Sequence, residues 1–382
     1  MRVTDVRVSD FRNYERAELG LGPGLTVIHG ENGAGKTNLL EAIYLGCTGR
    51  SCRTSSEREV VRIGSKVGRV ELAVAADDGS HLIEVGLQPG EQKVVRFDGA
   101  HADRLAPTQA RPLVSVFMPD RLTLVKGAPA PRRAHLDQVV AALWPARAQT
   151  RAAYTQTLAQ RNALIARIRT HSLAPELLAP WDAELARHGL ELMDNRRAAV
   201  EQIDPVCRAL SVALELEGGL ELHYRPRSRA QTAEQLRVEL VERRGEDLAR
   251  GFTAHGPHRD DLALVHRGRS LRSYGSQGQQ RLGLLALLLA ERDVLGRGGS
   301  PPLMLLDDVM SELDGSRRRR LAELVRSGGQ AVITSTDADH VPGAHDSGVL
   351  LVEVASGTIA ESLPAGVAGG TVAESLPAEV AT

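Results

Sequence analysis

The chain is poor in aromatic side chains, which make up 3% of its 382 residues. Because single-stranded nucleic acid is gripped base by base on aromatic rings, this scarcity argues against that kind of readout. Cysteine is rare too. Cys47 and Cys52 lack the second pair or histidine cluster of a zinc site, and Cys207 stands alone. We expect all three thiols to be reduced and mostly buried.

An excess of charge of one sign is also missing. The formal net charge is −1, which excludes a uniformly basic coat for nucleic acid but permits a local basic face. No apolar run approaches a membrane span, and no secretory segment follows Met1. These features predict a soluble, cytoplasmic protein, and the length predicts about two domains.

The sequence does contain a glycine-rich loop between an apolar strand and a helical pattern. Its spacing, G-x-x-x-x-G-K-T, predicts backbone N–H groups turned inward around a nucleotide phosphate, at the positive end of a helix. Lys36 would contact the β- and γ-phosphates, and Thr37 would ligate Mg²⁺. The predicted nucleotide-binding residues are Gly30, Glu31, Asn32, Gly33, Ala34, Gly35, Lys36 and Thr37.

A second motif, PLMLLDD at 302–308, supplies the acids that phosphate chemistry requires. Its apolar residues predict a buried strand whose end places Asp307 beside the phosphate loop, where the carboxylate can hold Mg²⁺ directly or through water. Asp308 is the candidate for orienting or deprotonating the attacking water. The alternative is that the two acids only end a strand and begin a turn.

A third motif precedes an apolar helix: Ser276, Gln277, Gly278, Gln279 and Gln280. The N-terminus of that helix offers unpaired N–H groups and a partial positive charge. Taken alone, the motif is equally consistent with an ordinary polar helix cap.

Strand patterns lie on both sides of a helical segment. They predict a discontinuous ATPase lobe from residues 1–130 and 251–356, with a mostly helical lobe at 131–250 inserted between them. Residues 357–382 carry a short repeat, TIAESLPAG and TVAESLPAE, and predict a disordered tail.

Prolines interrupt the helical segment at positions 175, 180 and 205 and predict helices of short to medium length. The segment has no sustained heptad pattern, so a long coiled coil is excluded.

Together the three motifs resemble the ABC-type ATPases, in which the signature helix of one subunit caps the nucleotide of the other. In that family the segment matching SELD couples the two sites, through Ser311 and Asp314 here. Lys36 and Ser276 are 240 residues apart, whereas the signature of transporters follows the phosphate loop by about 100 residues, and Ser335 and Thr336 stand where transporters have a histidine. Both departures point away from transport.

Over about residues 1–355, the chain resembles the RecF family of bacterial DNA replication and repair proteins, relatives of the SMC heads. It departs from the family at Pro119-Asp120-Arg121, usually Pro-Glu-Asp, and at Ala134-His135, usually a basic residue and Phe. The matching segments are DFRNY (10–14), GENGAGKTNLLEAIYL (30–45), GRSCRT (49–54), FMPDRLTLVKGAPAPRRAHLD (117–137), GPHRDDL (256–262), SQGQQR (276–281), LLDDVMSELD (305–314) and VITST (332–336).

The resemblance implies an α/β fold, with a P-loop ATPase lobe of the ABC/SMC-head type and an inserted helical lobe. It implies ATP and Mg²⁺ as cofactors and a homodimer closed by ATP, in which the signature residues act in trans. It further implies sequence-independent binding to gapped or double-stranded DNA, the partners RecR and RecO, and help in loading RecA during the SOS response at the nucleoid. The catalytic residues carried over are Lys36, Asp307, Asp308 and Ser276.

The surface that contacts DNA is less defined by the sequence. The candidates are Arg50, Arg53, Arg132 and Arg133, together with the run from Arg317 to Arg320, because arginine suits bidentate phosphate contact. The arginine run is more often typical of a solvated helix face or of pairing between subunits than of DNA contact.

Two other functions remain open: an ABC-type ATPase with a role unrelated to DNA, and a scaffold that binds ATP without significant hydrolysis. Asp308 is one methylene shorter than the glutamate common in transporters. We therefore expect slow hydrolysis, and a turnover of the isolated protein near that of a motor ATPase would contradict this.

Overall fold

The structure is a computed structural model and describes residues 1–54, 56–101, 111–118, 122–171 and 173–362. The strands in these ranges are β1 (Arg2–Phe11), β2 (Tyr14–Gly20), β3 (Leu25–His29), β4 (Gly68–Ala76), β5 (Gly79–Leu87), β6 (Val94–Phe97), β7 (Ala100–His101), β8 (Val114–Phe117), β9 (Leu220–Arg225), β10 (Asp261–His266), β11 (Arg269–Ser270), β12 (Leu303–Leu306), β13 (Ala331–Ser335), β14 (Leu350–Ala355) and β15 (Thr358–Ser362). The helices are α1 (Lys36–Thr48), α2 (Glu57–Val60), α3 (Thr123–Lys126), α4 (Pro129–Leu143), α5 (Ala148–His171), α6 (Ala179–Ala213), α7 (Ala233–Glu242), α8 (Arg244–Arg250), α9 (Leu271–Tyr274), α10 (Gln277–Gly296) and α11 (Gly315–Arg326).

The first sheet is antiparallel and has the strand order β2-β1-β4-β5-β6-β7. Along β4, Val70, Leu72 and Val74 are buried and alternate with more exposed residues, as expected of a strand with one face on the core. Helix α1 packs closely on this face, since a Cβ on Gly46 would lie 2.5 Å from the Leu72 side chain.

A second sheet has the order β15-β14-β3-β13-β12-β8, and all its strands except the edge strand β15 run parallel. Strands β3, β13 and β12 are neighbours although they are far apart in sequence. Because the carboxyl ends of parallel strands share one edge, the loops after β3 and β12 meet there.

Helix α6 corrects the prediction of short to medium helices. It runs for 35 residues, with Pro180 in its first turn and Pro205 inside it. Proline is tolerated in a first turn, but an interior proline costs about 3 kcal/mol. Ile203 and Cys207 flank Pro205 and are buried in a core shared with α10, so this packing offsets the cost.

The helical segment also contributes a strand. Strand β9 pairs antiparallel with β10, from Leu220 opposite His266 to Arg225 opposite Asp261, and β11 completes a three-stranded sheet. This sheet crosses the expected lobe boundary near residue 250. The division into two lobes remains a prediction.

The predicted tail begins too early. Strand β15 pairs antiparallel with β14, from Leu351 opposite Ser362 to Ala355 opposite Thr358, so residues 358–362 form the edge of the second sheet. The remainder of the predicted tail, 363–382, and Pro119-Asp120-Arg121 lie outside the described residues. Within the described ranges, no helix combines the length and apolarity that crossing a bilayer demands.

Candidate nucleotide-binding site

The phosphate loop follows β3 and requires glycine at defined positions. Gly30, Gly33 and Gly35 have φ values of 149°, 81° and 122°, which L side chains rarely adopt. A Cβ on Gly30 would lie 2.1 Å from the Val354 carbonyl oxygen, whereas a Cβ on Gly33 would meet nothing within 4 Å. The loop therefore packs against the backbone of Val354 at Gly30. At Gly33 it is open, so an anion can approach its backbone there.

The ammonium group of Lys36 lies within this loop. Its Nζ donates hydrogen bonds to the carbonyl oxygens of Gly30 (2.7 Å) and Glu31 (2.9 Å). Burial lowers the pKa of Lys36, and the nearby carboxylates of Asp308 and Asp307 oppose this shift. The positive charge is thus held at the place predicted for the phosphates.

Thr37 and Asp307 are in direct contact. The Thr37 hydroxyl lies 2.9 Å from Oδ1 and 3.0 Å from Oδ2 of Asp307. Thr334, on β13, donates a hydrogen bond of 2.7 Å to Oδ1 of the same carboxylate. Burial raises the pKa of Asp307, while the hydrogen bonds from Thr334 and Thr37 lower it. The structure therefore brings the two predicted Mg²⁺ ligands together.

Thr334 was missed by the sequence analysis. Its hydroxyl also accepts a hydrogen bond of 2.9 Å from the backbone N–H of Asp308, so one side chain positions both acids. A threonine near the end of an apolar strand is common, and only the order of the strands places Thr334 beside Asp307 and Asp308.

Asp308 has an unusual backbone conformation. Its φ of 43° is left-handed, a strained conformation for a residue other than glycine. The Ser311 hydroxyl donates to its Oδ2 at 3.0 Å. Its Oδ1 is buried and has no hydrogen-bond partner among the described residues. Buried polar atoms are rarely left unpaired, so this oxygen is available to a water or a ligand.

These residues fit a nucleotide with Mg²⁺. The open backbone at Gly33, the ammonium of Lys36 and the unpaired oxygen of Asp308 offer partners to phosphates and water. Hydroxyl and carboxylate oxygens, as on Thr37 and Asp307, are the ligands that Mg²⁺ prefers, completed by phosphates and water. Among the described residues, no group of three or more His, Cys, Asp or Glu side chains forms a separate metal site.

The signature residues form an exposed tip at the start of α10. Ser276 caps the helix: its hydroxyl accepts from the backbone N–H of Gln279, whose side chain accepts from the N–H of Ser276. Ser276, Gln277 and Gly278 are exposed. In the described part of the chain, no hydrogen bond joins this tip to its own phosphate loop.

Gln280 lies beneath the tip, and its role was also missed. Its side chain is buried, and its Nε2 lies within hydrogen-bonding distance of the carbonyl oxygens of Leu271 (3.1 Å), Arg272 (3.3 Å) and Gly275 (3.1 Å). Gln280 therefore ties the turn that leads into Ser276 to the body of α10.

The predicted dimer loop connects the acids to α10. Ser311 hydrogen-bonds to Asp308, and the next residue, Glu312, forms an ion pair with Arg281 of α10. Asp314 caps α11 by accepting from the Arg317 N–H at 3.0 Å. Ser311 and Asp314 are exposed, as a contact between subunits requires.

One of the predicted DNA contacts, Arg53, lies near the nucleotide site. Arg53 donates to the side chains of Asn38 (2.9 Å) and Glu41 (3.3 Å) on α1, and its charge opposes the rise in the pKa of Asp307 that burial causes. Arg50, three residues earlier, is exposed.

Arg132 is a structural residue, which corrects the prediction that it contacts DNA. It is 4% exposed, and its Nε and Nη2 donate to both carboxylate oxygens of Asp261, at 2.7 and 2.9 Å. Its Nη1 donates to the Gly127 carbonyl at 2.9 Å. Arg133 is half-buried and donates to the carbonyl oxygen of Asp260 at 2.8 Å.

Most arginines of the run on α11 form ion pairs or hydrogen bonds with neighbouring residues of the same chain. Arg317 pairs with Asp314, and Arg320 with Glu323. Arg318 donates to the Leu313 carbonyl at 2.8 Å. These pairings favour the interpretation of the run as a solvated helix face.

The comparisons with known proteins agree with this geometry. The family model described as RecF/RecN/SMC N terminal domain matches residues 2–359, so the chain belongs to that family of ATPase heads. The Smc head bound to the C-winged helix domain of ScpA is similar in fold, with a TM-score of 0.59 at 16% identity, covering 96% of this chain and 98% of that one. The expected α/β fold of the ABC/SMC-head type is thereby confirmed.

Within this class the chain belongs to the RecF family. It is 38% identical to the DNA replication and repair protein RecF of Streptomyces avermitilis, over 90% of this chain and 95% of that protein. It is 37% identical to RecF of Anaeromyxobacter sp., over 94% and 99%. A solved structure of the recombination mediator protein RecF-ATP in the RecFOR pathway has a TM-score of 0.80 and 29% identity, covering 94% of this chain and 97% of that one.

The role of Gln280 is testable by replacing it with Leu, which keeps the bulk but removes the donor. We expect Gln280→Leu to weaken ATP-dependent dimerisation roughly tenfold, because the carbonyls that position the tip lose their partner in a buried site. Nucleotide binding by the monomer should stay unchanged, since the phosphate loop is separate. Sedimentation with ATP and titration with a fluorescent nucleotide measure the two properties. The exposed variant Gln138→Leu is the matched control, and equal dimerisation of both variants would contradict the assignment.

Proposed function

We propose that this chain is an ATP-dependent DNA-binding protein of recombinational repair and replication-fork maintenance. Two copies close around ATP on duplex or gapped DNA, hydrolyse it slowly, and help to recruit RecO and RecR and to load RecA at the nucleoid. The observation that carries the proposal is the exposed tip of α10, which is preformed by its cap yet, among the residues that the structure describes, has no hydrogen bond to its own phosphate loop.

The chemistry of the tip supports a role in a second subunit. The first N–H groups of a helix have no partner within it. At the start of α10, the N–H groups of Gln277 and Gly278 have none elsewhere in the described residues. They lie at the positive end of a 20-residue helix and suit an anion. If each tip reaches the phosphate loop of the other copy, the two chains form a closed twofold dimer.

The phosphate loop and the two acids have separate roles in binding and hydrolysing ATP. Lys36 neutralises phosphate charge, while Thr37 and Asp307 hold the metal ion. Two hydrogen bonds position Asp308: its backbone N–H donates to the Thr334 hydroxyl, and its Oδ2 accepts from the Ser311 hydroxyl. Its unpaired Oδ1 can then accept a hydrogen bond from the attacking water. When bound, magnesium ATP supplies the phosphoryl group that is transferred to water. The contacts that the chain makes to the γ-phosphate favour the closed dimer, so hydrolysis releases it.

The DNA-binding part of the proposal draws on the relatives, which are named as DNA replication and repair proteins and as a recombination mediator. The low aromatic content and the many arginines favour contact with the phosphate backbone, independent of sequence and weakened by salt.

Sedimentation of the wild type and of Asp308→Asn tests the dimer switch. Both proteins should be monomers with ADP and dimers with ATP, and gapped duplex DNA should favour the dimer. Asp308→Asn should stay dimeric for longer after ATP is added, because it lacks the carboxylate that activates water.

A monomer in every condition would defeat the proposal. If instead both proteins form dimers of equal lifetime and release no phosphate, the chain is a scaffold that binds ATP without hydrolysing it.

A further inference from the structure

A basic cleft lies where the turn after β9, the end of α8 and the turn before β10 meet. It has a volume of about 420 Å³ and is lined by Arg227, Arg250, Phe252, Ala254 and Arg259. We call it the arginine cleft. Three of its five lining residues are arginines, and none carries a carboxylate. A volume of this order falls within the usual range of small-ligand sites, roughly 300–1,000 Å³.

Most of the positive charge in the cleft is not neutralised by the protein. The side chains of Arg227 and Arg259 are exposed and form no ion pair with any described residue. Arg250 pairs at 2.7 Å with Glu246, one turn earlier on α8, and both side chains are half exposed. On a chain with a net charge of −1, this is a local concentration of one sign. It favours a ligand with several negative charges.

The backbone of the cleft is anchored to two buried carboxylates. The N–H of Arg227 donates to Asp260 at 2.6 Å, and the N–H of Ala254 donates to Asp247 at 2.9 Å. Asp260 also accepts from Arg196. Asp247 is fully buried and pairs at 2.7 Å with the equally buried Arg161. The walls are therefore held in place by ion pairs in the interior, as a preorganised binding site requires.

The cleft also presents an aromatic ring. Phe252 is 40% exposed, and the guanidinium carbon of Arg259 lies 5.5 Å from the centre of its ring. This is the distance of a cation–π pair. Phenylalanine occurs only four times in the chain, and an exposed ring beside arginines is the combination on which nucleic-acid bases stack.

We propose that the arginine cleft binds one unstacked nucleotide of DNA. Arg227 and Arg250 contact its flanking phosphates, and the base lies against Phe252 and Arg259. The bases of an intact duplex are stacked and paired, so such a nucleotide is present only at a gap or at a single-strand/double-strand junction. The cleft thereby gives the protein a preference for gapped DNA. This inference rests on the proposed DNA-binding function.

Three variants of the full-length protein test the cleft. Arg227→Gln combined with Arg259→Gln removes charge, and Phe252→Leu removes the ring but keeps an apolar side chain. Arg187→Gln combined with Arg197→Gln removes the same charge from exposed positions on α6 and is the matched control. Binding to gapped and blunt duplexes of equal length is measured by fluorescence anisotropy with ATP, over a series of salt concentrations.

The charge variant should bind gapped DNA about tenfold more weakly, and its salt dependence should fall by about one phosphate contact, because only Arg227 of the two replaced arginines contacts a phosphate. Phe252→Leu should bind gapped DNA roughly tenfold more weakly and blunt duplex with unchanged affinity. The control should match the wild type on both DNAs. All the replaced side chains are exposed, so the melting temperatures should be unchanged.

The contrary outcomes are distinct. If the wild type binds gapped DNA and the cleft variants bind it equally well, the inference is wrong while the proposed function stands. If a polyglutamate peptide binds the wild type but not the charge variant, and DNA binding is the same in both, the cleft binds an acidic protein segment instead. If the wild type binds no DNA, the proposed function fails and the inference fails with it.

Discussion

The contact between the hydroxyl of Thr37 and the carboxylate of Asp307 is the constraint on which the site depends. It joins residues that are 270 positions apart. It exists because β3, β13 and β12 lie side by side and parallel, so that the loops after β3 and β12 meet at one edge. Thr334, at the end of the strand between them, hydrogen-bonds to both acids. The proposed binding of phosphate, metal and water depends on this arrangement.

A continuous set of contacts leads from the acids to the signature tip. Ser311 holds Asp308, the neighbouring Glu312 pairs with Arg281, and Arg281 follows Gln280, which supports the turn before Ser276. A change in the position of the tip against a second subunit would therefore reach the acid through few, polar contacts. In the proposed dimer, this path would let the loop that carries Ser311 and Asp314 couple assembly to hydrolysis.

The sequence predicted those parts of the site that depend on local pattern. The glycine spacing, the apolar strand before Asp307 and the cap at Ser276 each need only a few neighbouring residues, and each lies where the pattern indicated. The features that were missed depend on residues distant in sequence. Thr334 needs the strand order, Arg132 is buried by Asp261, and α6 continues through Pro205 because the core packs around it.

The arginine cleft illustrates the same limit. Arg227 and Arg259 are unremarkable basic residues in the sequence, and only the pairing of β9 with β10 and the buried carboxylates beneath them bring the two guanidinium groups to one surface. By contrast, the side chains of the basic runs that are visible in the sequence, Arg132-Arg133 and Arg317 to Arg320, mostly pair with other groups of the chain. Clustering in space, rather than along the sequence, defines the binding surface proposed here.

The central claim is that the nucleotide bound by one chain is completed by the tip of another, and mixing two inactive variants tests it most directly. Lys36→Ala removes the ammonium group that contacts the phosphates but keeps the tip. Gly278→Gln blocks the tip and should leave the fold intact, since a Cβ there meets nothing within 4 Å. Each variant alone should neither dimerise nor hydrolyse ATP. A mixture contains heterodimers with one complete site, so phosphate release should reappear on mixing. A mixture as inactive as its components would contradict the claim.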